Sequence, residues 1–295
     1  MATTPTELRD GYADLGEVRL HYVEAGEGPL VVLLHGFPEY WAGWRQQIPA
    51  LAGRGFRVVA PDMRGYNLSS KPKGVAAYDI EVLAGDVAGL IRERGGGERA
   101  LLAGHDWGAA VAYATAMFHP EAVERLAILN VPHPRRMLEG LRTPRQLAKS
   151  WYMFAFQLNG VAERLARREN WRYFRRAFEE DARPGAFTPQ DVAGYVETWE
   201  KPGAMTAMMS YYRAALRASP RKSLARLRPI SAPTLVIWGE RDRYLGSELA
   251  EPHRSDVPAL EGVIRVPSAS HWVQHDEPEL VTGLLARFFG EDRPG

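Results

Sequence analysis

No cysteine occurs among the 295 residues. Disulfides, thiolate-bound zinc, iron–sulfur clusters and a cysteine nucleophile are therefore excluded. An excess of one charge is missing too: 37 Lys and Arg stand against 36 Asp and Glu, a formal net charge of +1. Without a basic field or a run of like charge, nucleic acid is not an expected partner. No apolar run approaches the ~18 residues of a membrane span. Residues 1–16 carry Glu7, Arg9, Asp10 and Asp14 without an apolar stretch, unlike a signal peptide. The expectation is a soluble cytoplasmic protein with no membrane partner. What is present is ordinary globular composition, 45% hydrophobic and 25% charged, which argues against a disordered, collagenous or coiled-coil chain. The length suits two domains of ~150 residues, or one large α/β domain with an insertion.

Short runs rich in β-branched or aromatic residues, flanked by Gly and Pro, predict strands at 30–34 and 56–60, and further strands are expected at 100–103 and 123–129. Between them, Ile80, Leu83, Val87, Leu90 and Ile91 recur at spacings of three and four, so a helix is expected over 78–94, stopped by Gly95, Gly96 and Gly97. A second helix is expected over 109–118. Strand alternating with helix implies a parallel sheet covered on both faces. The rhythm breaks after Val131-Pro132-His133-Pro134, and no strand is expected from 135 to 222. It resumes with strands at 233–238 and 262–266 and a closing helix at 278–289. The organisation expected is an α/β core (1–134 and 223–295) interrupted by a helical insertion (135–222), too long for an ordinary loop.

Gly104-His105-Asp106-Trp107-Gly108 joins the 100–103 strand to the helix after it. A small-x-nucleophile-x-small turn of this kind holds its central residue in a strained conformation at the sheet edge. An aspartate before a helix is also a common N-cap, so Asp106 by itself leaves both readings open. Its partners decide. Asp242 follows the 233–238 strand and His271 follows the last strand, giving the order nucleophile, acid, histidine. Glu240 rivals Asp242. His271 and His275 are four apart, but no Glu lies beside them at the metal-binding spacing, so a helix surface is expected rather than a metal site. His35-Gly36-Phe37-Pro38 follows the 30–34 strand, where this order of elements places an oxyanion hole built from the backbone N–H groups of Phe37 and Trp107.

The chemistry follows from the carboxylate. Attack by serine on saturated carbon would leave an ether that water and histidine cannot cleave. An aspartate gives an alkyl ester, which histidine-activated water hydrolyses. The elbow therefore points to displacement at sp³ carbon, in an epoxide or an alkyl halide.

The stretches His35–Arg45 (HGFPEYWAGWR), 61–72 (PDMRGYNLSSKP), 104–108 (GHDWG), 129–134 (LNVPHP), 238–245 (WGERDRYL) and 270–278 (SHWVQHDEP) span nearly the whole chain. Through them the sequence resembles the epoxide hydrolases of the α/β-hydrolase fold. The resemblance implies that fold with a helical cap, a small-molecule epoxide and water as reactants, a vicinal diol as product, and no metal or organic cofactor. It also implies two cap tyrosines that hold the epoxide oxygen, here Tyr152 and Tyr212. Tyr211 competes for the second role, but the family's donor directly precedes Arg. Trp151, Phe154 and Met208 are the expected apolar substrate-binding residues. Haloalkane dehalogenases share the elbow and rank second, because Phe37 offers no side-chain donor where some members have Asn. Ligand receptors and ester-hydrolysing relatives rank lower. Homo-oligomerisation is left open.

Overall fold

The computed structural model describes residues 7–290; of the stretch read above as lacking a signal peptide, residues 1–6 lie outside it. Eight strands form one sheet: β1 (Arg9–Asp14), β2 (Arg19–Ala25), β3 (Leu30–Leu34), β4 (Arg57–Pro61), β5 (Ala100–His105), β6 (Val123–Leu129), β7 (Thr234–Gly239) and β8 (Leu260–Val266). Their spatial order is β1-β2-β4-β3-β5-β6-β7-β8. The pairs β1–β2 and β2–β4 are antiparallel, and every pair from β4 to β8 is parallel.

β3 (LVVLL) and β7 (TLVIWG) are buried along their whole length. That is the signature of central strands covered on both faces. Alternation then sorts their side chains. Val32, Leu34, Leu102, Ile128 and Val236 pack with the helices Ile80–Gly95 and Trp107–Phe118. Val31, Leu33, Leu101, Leu129 and Ile237 pack on the other face with Gln47–Ala52 and Pro278–Phe289. The first of these helices starts two residues later than expected, because the Asp79 side chain caps it by accepting from the Glu81 N–H. It stops where expected, at Gly96 with φ 61°.

β1 and β2 were not expected. β1 (RDGYAD) is almost wholly exposed, and β2 (RLHYVEA) buries His21 and Glu24 among its apolar residues. Those polar groups are tolerated because they are paired: His21 bonds Asp62 (2.7 Å) and Asp10 (2.9 Å), and Glu24 accepts from Arg94 (2.5 Å).

Between β6 and β7 the described chain forms only helices, from Pro134 to Arg226. Specific bonds fasten this insertion to loops leaving the C-terminal ends of strands. The Trp199 indole donates to Pro38 O after β3 (2.6 Å), and the Tyr211 hydroxyl to Arg64 O after β4 (2.7 Å). Lys149 donates to Asp242 O after β7 (2.7 Å). The Arg183 N–H donates to Asp276 after β8 (2.8 Å). Trp199 is fully buried, its ring packed on Trp171, Phe174, Phe178 and Tyr195 of the insertion while its N–H reaches across to the core.

Candidate active site

β5 runs directly into the helix Trp107–Phe118, and the single residue between them is Asp106. Its backbone sits at φ 48°, ψ −123°, a conformation that costs a non-glycine residue roughly 1–3 kcal/mol. The crossing is tight enough that a Cβ on Gly108 would lie 2.2 Å from Leu34 O. A Cβ on Gly36 would lie 2.5 Å from the Asp106 Cβ. Glycine at these places lets the β3 loop approach the turn. Asp106 does not cap its helix: no hydrogen bond joins its side chain to the first turn. Instead Oδ1 accepts from the Phe37 N–H at 2.7 Å. Of the two N–H groups expected as oxyanion donors, the structure aims that of Phe37 at this carboxylate, while Trp107 opens the helix.

The other Asp106 oxygen, Oδ2, lies 3.6 Å from His271 Nε2. His271 Nδ1 bonds Asp242 Oδ2 at 2.7 Å, and both residues are buried. Asp242 Oδ1 accepts from the N–H groups of Tyr244 (2.7 Å) and Leu245 (2.9 Å), and Oδ2 also accepts from Asn130 Nδ2 (2.9 Å). Burial alone would raise the Asp242 carboxyl, but His271 and these donors hold it below its usual value. Burial alone would lower His271; Asp242 and Asp106 together push it up to about 10. Glu240 is exposed and pairs with Arg265 at 3.5 Å, so Asp242 is the acid that meets the histidine. The His271 loop is tied by Ser270, whose N–H and hydroxyl both donate to Asp276 Oδ2 (2.7 and 2.6 Å).

Two cavities, of about 540 and 240 Å³, share Asp106, Tyr152 and Tyr212 in their walls. The tyrosine rings stack edge to face at 5.7 Å, and Tyr212 also meets Phe37 and Trp107, each at 5.1 Å. Burial and the nearby Asp106 carboxylate raise both phenols well above their ordinary value, so both hydroxyls keep their protons. Tyr211 is committed elsewhere through its bond to Arg64 O. The larger cavity opens between charged side chains, Arg176, Glu180, Asp181 and Arg243 among them. The smaller is walled mainly by apolar groups such as Met117, Phe118, Met137, Leu138 and Leu141.

A family model described as the alpha/beta hydrolase fold matches residues 29–278. The chain is 41% identical to the AB hydrolase superfamily protein YfhM of Bacillus subtilis, over 94% of this chain and 96% of that one. It is 35% identical to epoxide hydrolase 2 of Caenorhabditis elegans, over 95% of this chain and 80% of that one. The chain belongs to the epoxide hydrolase family of the α/β-hydrolase fold. Among solved structures, an inhibitor complex of the Bacillus megaterium epoxide hydrolase aligns with TM-score 0.84 at 34% identity, covering 95% of this chain and all of that one.

Not every expected residue of this α/β-hydrolase lines a cavity. Trp151 stands at the mouth of the larger one, 56% exposed. Phe154 is 47% exposed and reaches neither. It lies two residues beyond Tyr152 on a helix, about 200° round the axis, so when Tyr152 turns inward Phe154 turns out. Met208 is 1% exposed and fills the packed core one turn before Tyr212, again away from both cavities. His275 is not on a helix surface. It is buried, donating from Nε2 to Glu39 Oε1 (2.8 Å) and accepting at Nδ1 from Arg45 (2.9 Å).

Sequence reasoning missed two groups that support the site. Asn130, at φ 45° just past β6, braces Asp242 and also clasps Gly239 through both its amide atoms (2.8 and 3.2 Å). Glu39, next to Pro38, is fully buried between His105 (3.1 Å), His275 and the Tyr195 hydroxyl (3.2 Å). Burial would raise its carboxyl, but the two imidazoles hold it well below the usual range. His105 in turn bonds His271 O at 2.9 Å. Both lie inside stretches quoted above, 129–134 and 35–45, which marks their positions but not their partners.

Proposed function

We propose that this protein is an epoxide hydrolase that opens an apolar epoxide to a vicinal diol through an ester on Asp106. The observation that carries this reading is the division of labour at one carboxylate. Asp106 Oδ1 is held by the Phe37 N–H, Oδ2 is left facing His271, and two protonated tyrosines stand in the same cavity walls. In this reading the insertion is a cap that brings Tyr152 and Tyr212 over the elbow.

Oδ2 attacks a ring carbon and the carbon–oxygen bond breaks. The leaving oxygen takes a proton from Tyr152 or Tyr212, assistance typically worth ~10²–10⁴-fold. His271, oriented by Asp242, then removes a proton from water, which adds to the Asp106 carboxyl carbon. The N–H groups of Phe37 and Trp107 hold the resulting oxyanion; losing one such donor costs about 2.7–4 kcal/mol. Collapse expels the diol oxygen, which takes the remaining proton of the added water as the carboxylate is restored, and the tyrosine recovers the proton that His271 gives up when Asp106 is alkylated. Raised phenols suit this sequence, since a group that stays protonated at neutral pH is available as a donor. Phe37 supplies no side-chain donor for a departing halide, which favours the epoxide over an alkyl halide. The test is diol formation across a small epoxide panel with halide release from matched haloalkanes as control. Diol without halide is expected; halide without diol would reverse the assignment.

A further inference from the structure

The net charge of +1 conceals a division. Residues 135–222 carry seventeen Lys and Arg against nine Asp and Glu, and the rest of the chain carries twenty against 27. The insertion is therefore +8 on a core of −7. Apolar exposure is concentrated in the same place. Of the thirteen large hydrophobic side chains exposed among the described residues, seven lie between 147 and 173. Six of them are carried by three consecutive short helices and the turn before the last: Leu147 on Pro144–Lys149, Trp151 and Phe154 on Trp151–Ala155, Leu158 in the turn, and Val161 and Leu165 on Val161–Ala166. Their neighbours Ser150, Met153, Ala162 and Ala166 are the buried side of the same segment. A run of short helices that buries one set of residues and leaves this many large apolar side chains in water has the composition of a partner surface. Around it, Arg142, Arg164 and Arg168 are exposed and make no ion pair among the described residues, and Arg167 lies over Trp171 at 5.6 Å.

We propose that this face docks on the surface of an anionic lipid bilayer. Charge rules out the simplest alternative, because pairing two insertions would set +8 against +8. Head-to-tail association would satisfy charge but not apolarity. The exposed hydrophobics of the core, Leu8, Tyr12, Leu68, Val82, Ile264 and Leu280, are scattered across separate elements. A fluid surface with acidic headgroups above hydrocarbon satisfies both, as for helices that lie in the interfacial plane. No helix of the described residues is long and apolar enough to cross a membrane, and none is needed. The larger cavity opens here, for Trp151, Tyr173 and Arg176 are in its wall. Docking would turn that mouth toward the lipid, from which an apolar substrate would enter. That last consequence rests on the function proposed above; the docking does not.

The experiment is flotation with phosphatidylcholine vesicles, with and without about one phosphatidylglycerol in three lipids, on the wild type and two double variants. Leu158→Glu with Leu165→Glu removes apolar contact; Arg164→Glu with Arg168→Glu reverses charge. None of these residues lines either cavity, so turnover of a water-soluble epoxide without vesicles should be unchanged in both variants. Wild type is expected to float only with the anionic vesicles. It should be released at about 1 M salt, where screening shortens to about 3 Å. Each arginine near such a surface is worth about fivefold in partitioning, so the charge variant should lose at least ~25-fold. Wild type left behind by anionic vesicles, or both variants floating like wild type, would overturn the proposal. A particle of twice the chain mass in light scattering that both variants dissociate, without flotation, would assign the face to a second copy instead. Vesicle binding is read without substrate, so it fails or succeeds independently of the epoxide assignment.

Discussion

Replacing Asp106 by Asn should change the proton affinity of His271 by an amount the geometry sets. Burial lowers this imidazole, and the two carboxylates reverse that, carrying it to about 10. One of them, Asp106 Oδ2, lies 3.6 Å from Nε2. At an effective dielectric of about 20, two unit charges at that distance interact with about 4–5 kcal/mol, or about three pKa units. Asp106→Asn keeps the shape and an acceptor for the Phe37 N–H but deletes the charge. The histidine should then titrate near neutrality, at roughly 7. In the proposed mechanism the same loss of charge would follow when the carboxylate becomes an ester, so the substitution would mimic the proposed intermediate electrostatically. In the resting protein His271 holds its proton; alkylation of Asp106 would release it and create the base when water must be activated. The assay is the pH dependence of the His271 imidazole nitrogen shifts in both proteins, assigned with His271→Gln. Stability must follow. A histidine raised from 6.5 to about 10 on folding gives stabilisation that is complete below about 6.5 and lost as pH rises toward 10. In Asp106→Asn that loss should be confined to a narrow interval just above 6.5. A His271 that titrates at the same pH with and without the Asp106 charge would refute this account.

Three further outcomes are expected. His271→Ala should open one epoxide per chain and stall, and intact-protein mass spectrometry should find the whole epoxide's mass added at Asp106; substrate binding with no gain in mass would favour direct attack by water on the ring. Tyr152→Phe with Tyr212→Phe keeps both rings but removes both hydroxyl donors, so diol formation should fall by at least ~10²-fold, and unchanged turnover would remove them from the mechanism. Asn130→Ala strips one donor from Asp242, leaves the Gly239 N–H without an acceptor and puts alanine at φ 45°. It should cost about 2–4 kcal/mol in denaturant unfolding. Because Asn130 helps hold the Asp242 carboxyl down, the acid limb of the pH–rate profile should move up, and a profile that does not move would dissociate Asn130 from the acid.

How much of this was readable in advance depended on where each residue's partner sits. β3 and the helix Pro278–Phe289 were legible because the one is an uninterrupted apolar run and the other a clean helical period, decided by local sequence. β1 and β2 were not, because their stabilisation comes from Asp62, Arg94 and other residues dozens of positions away. The elbow was legible for a different reason: Gly36, Gly104 and Gly108 are demanded by close approach of backbone, and close approach leaves glycine in the sequence. Asn130 and Glu39 answer to partners across the fold, and no local pattern announces such pairing. Phe154 erred by half a helical turn: its residue type fitted the cavity, but only the rotation set by Tyr152 decides which way it faces.

The placement of the insertion also has a consequence in time. β6 lies between β5 and β7, but Leu129 and Thr234 are separated by about 100 residues of helix-forming chain. At a synthesis rate of about 5–20 residues per second, the edge that β7 will cover stays open on the ribosome for roughly 5–20 s. It presents Leu126, Ala127, Ile128 and Leu129, all fully buried in the finished sheet, as an unpaired and strongly apolar strand. Such an edge is a template for pairing with another chain. The nascent protein is therefore most exposed to misassembly after its first half has folded and before residue 234 emerges. Its yield in a crowded translation system should be governed by how well chaperones cover that interval.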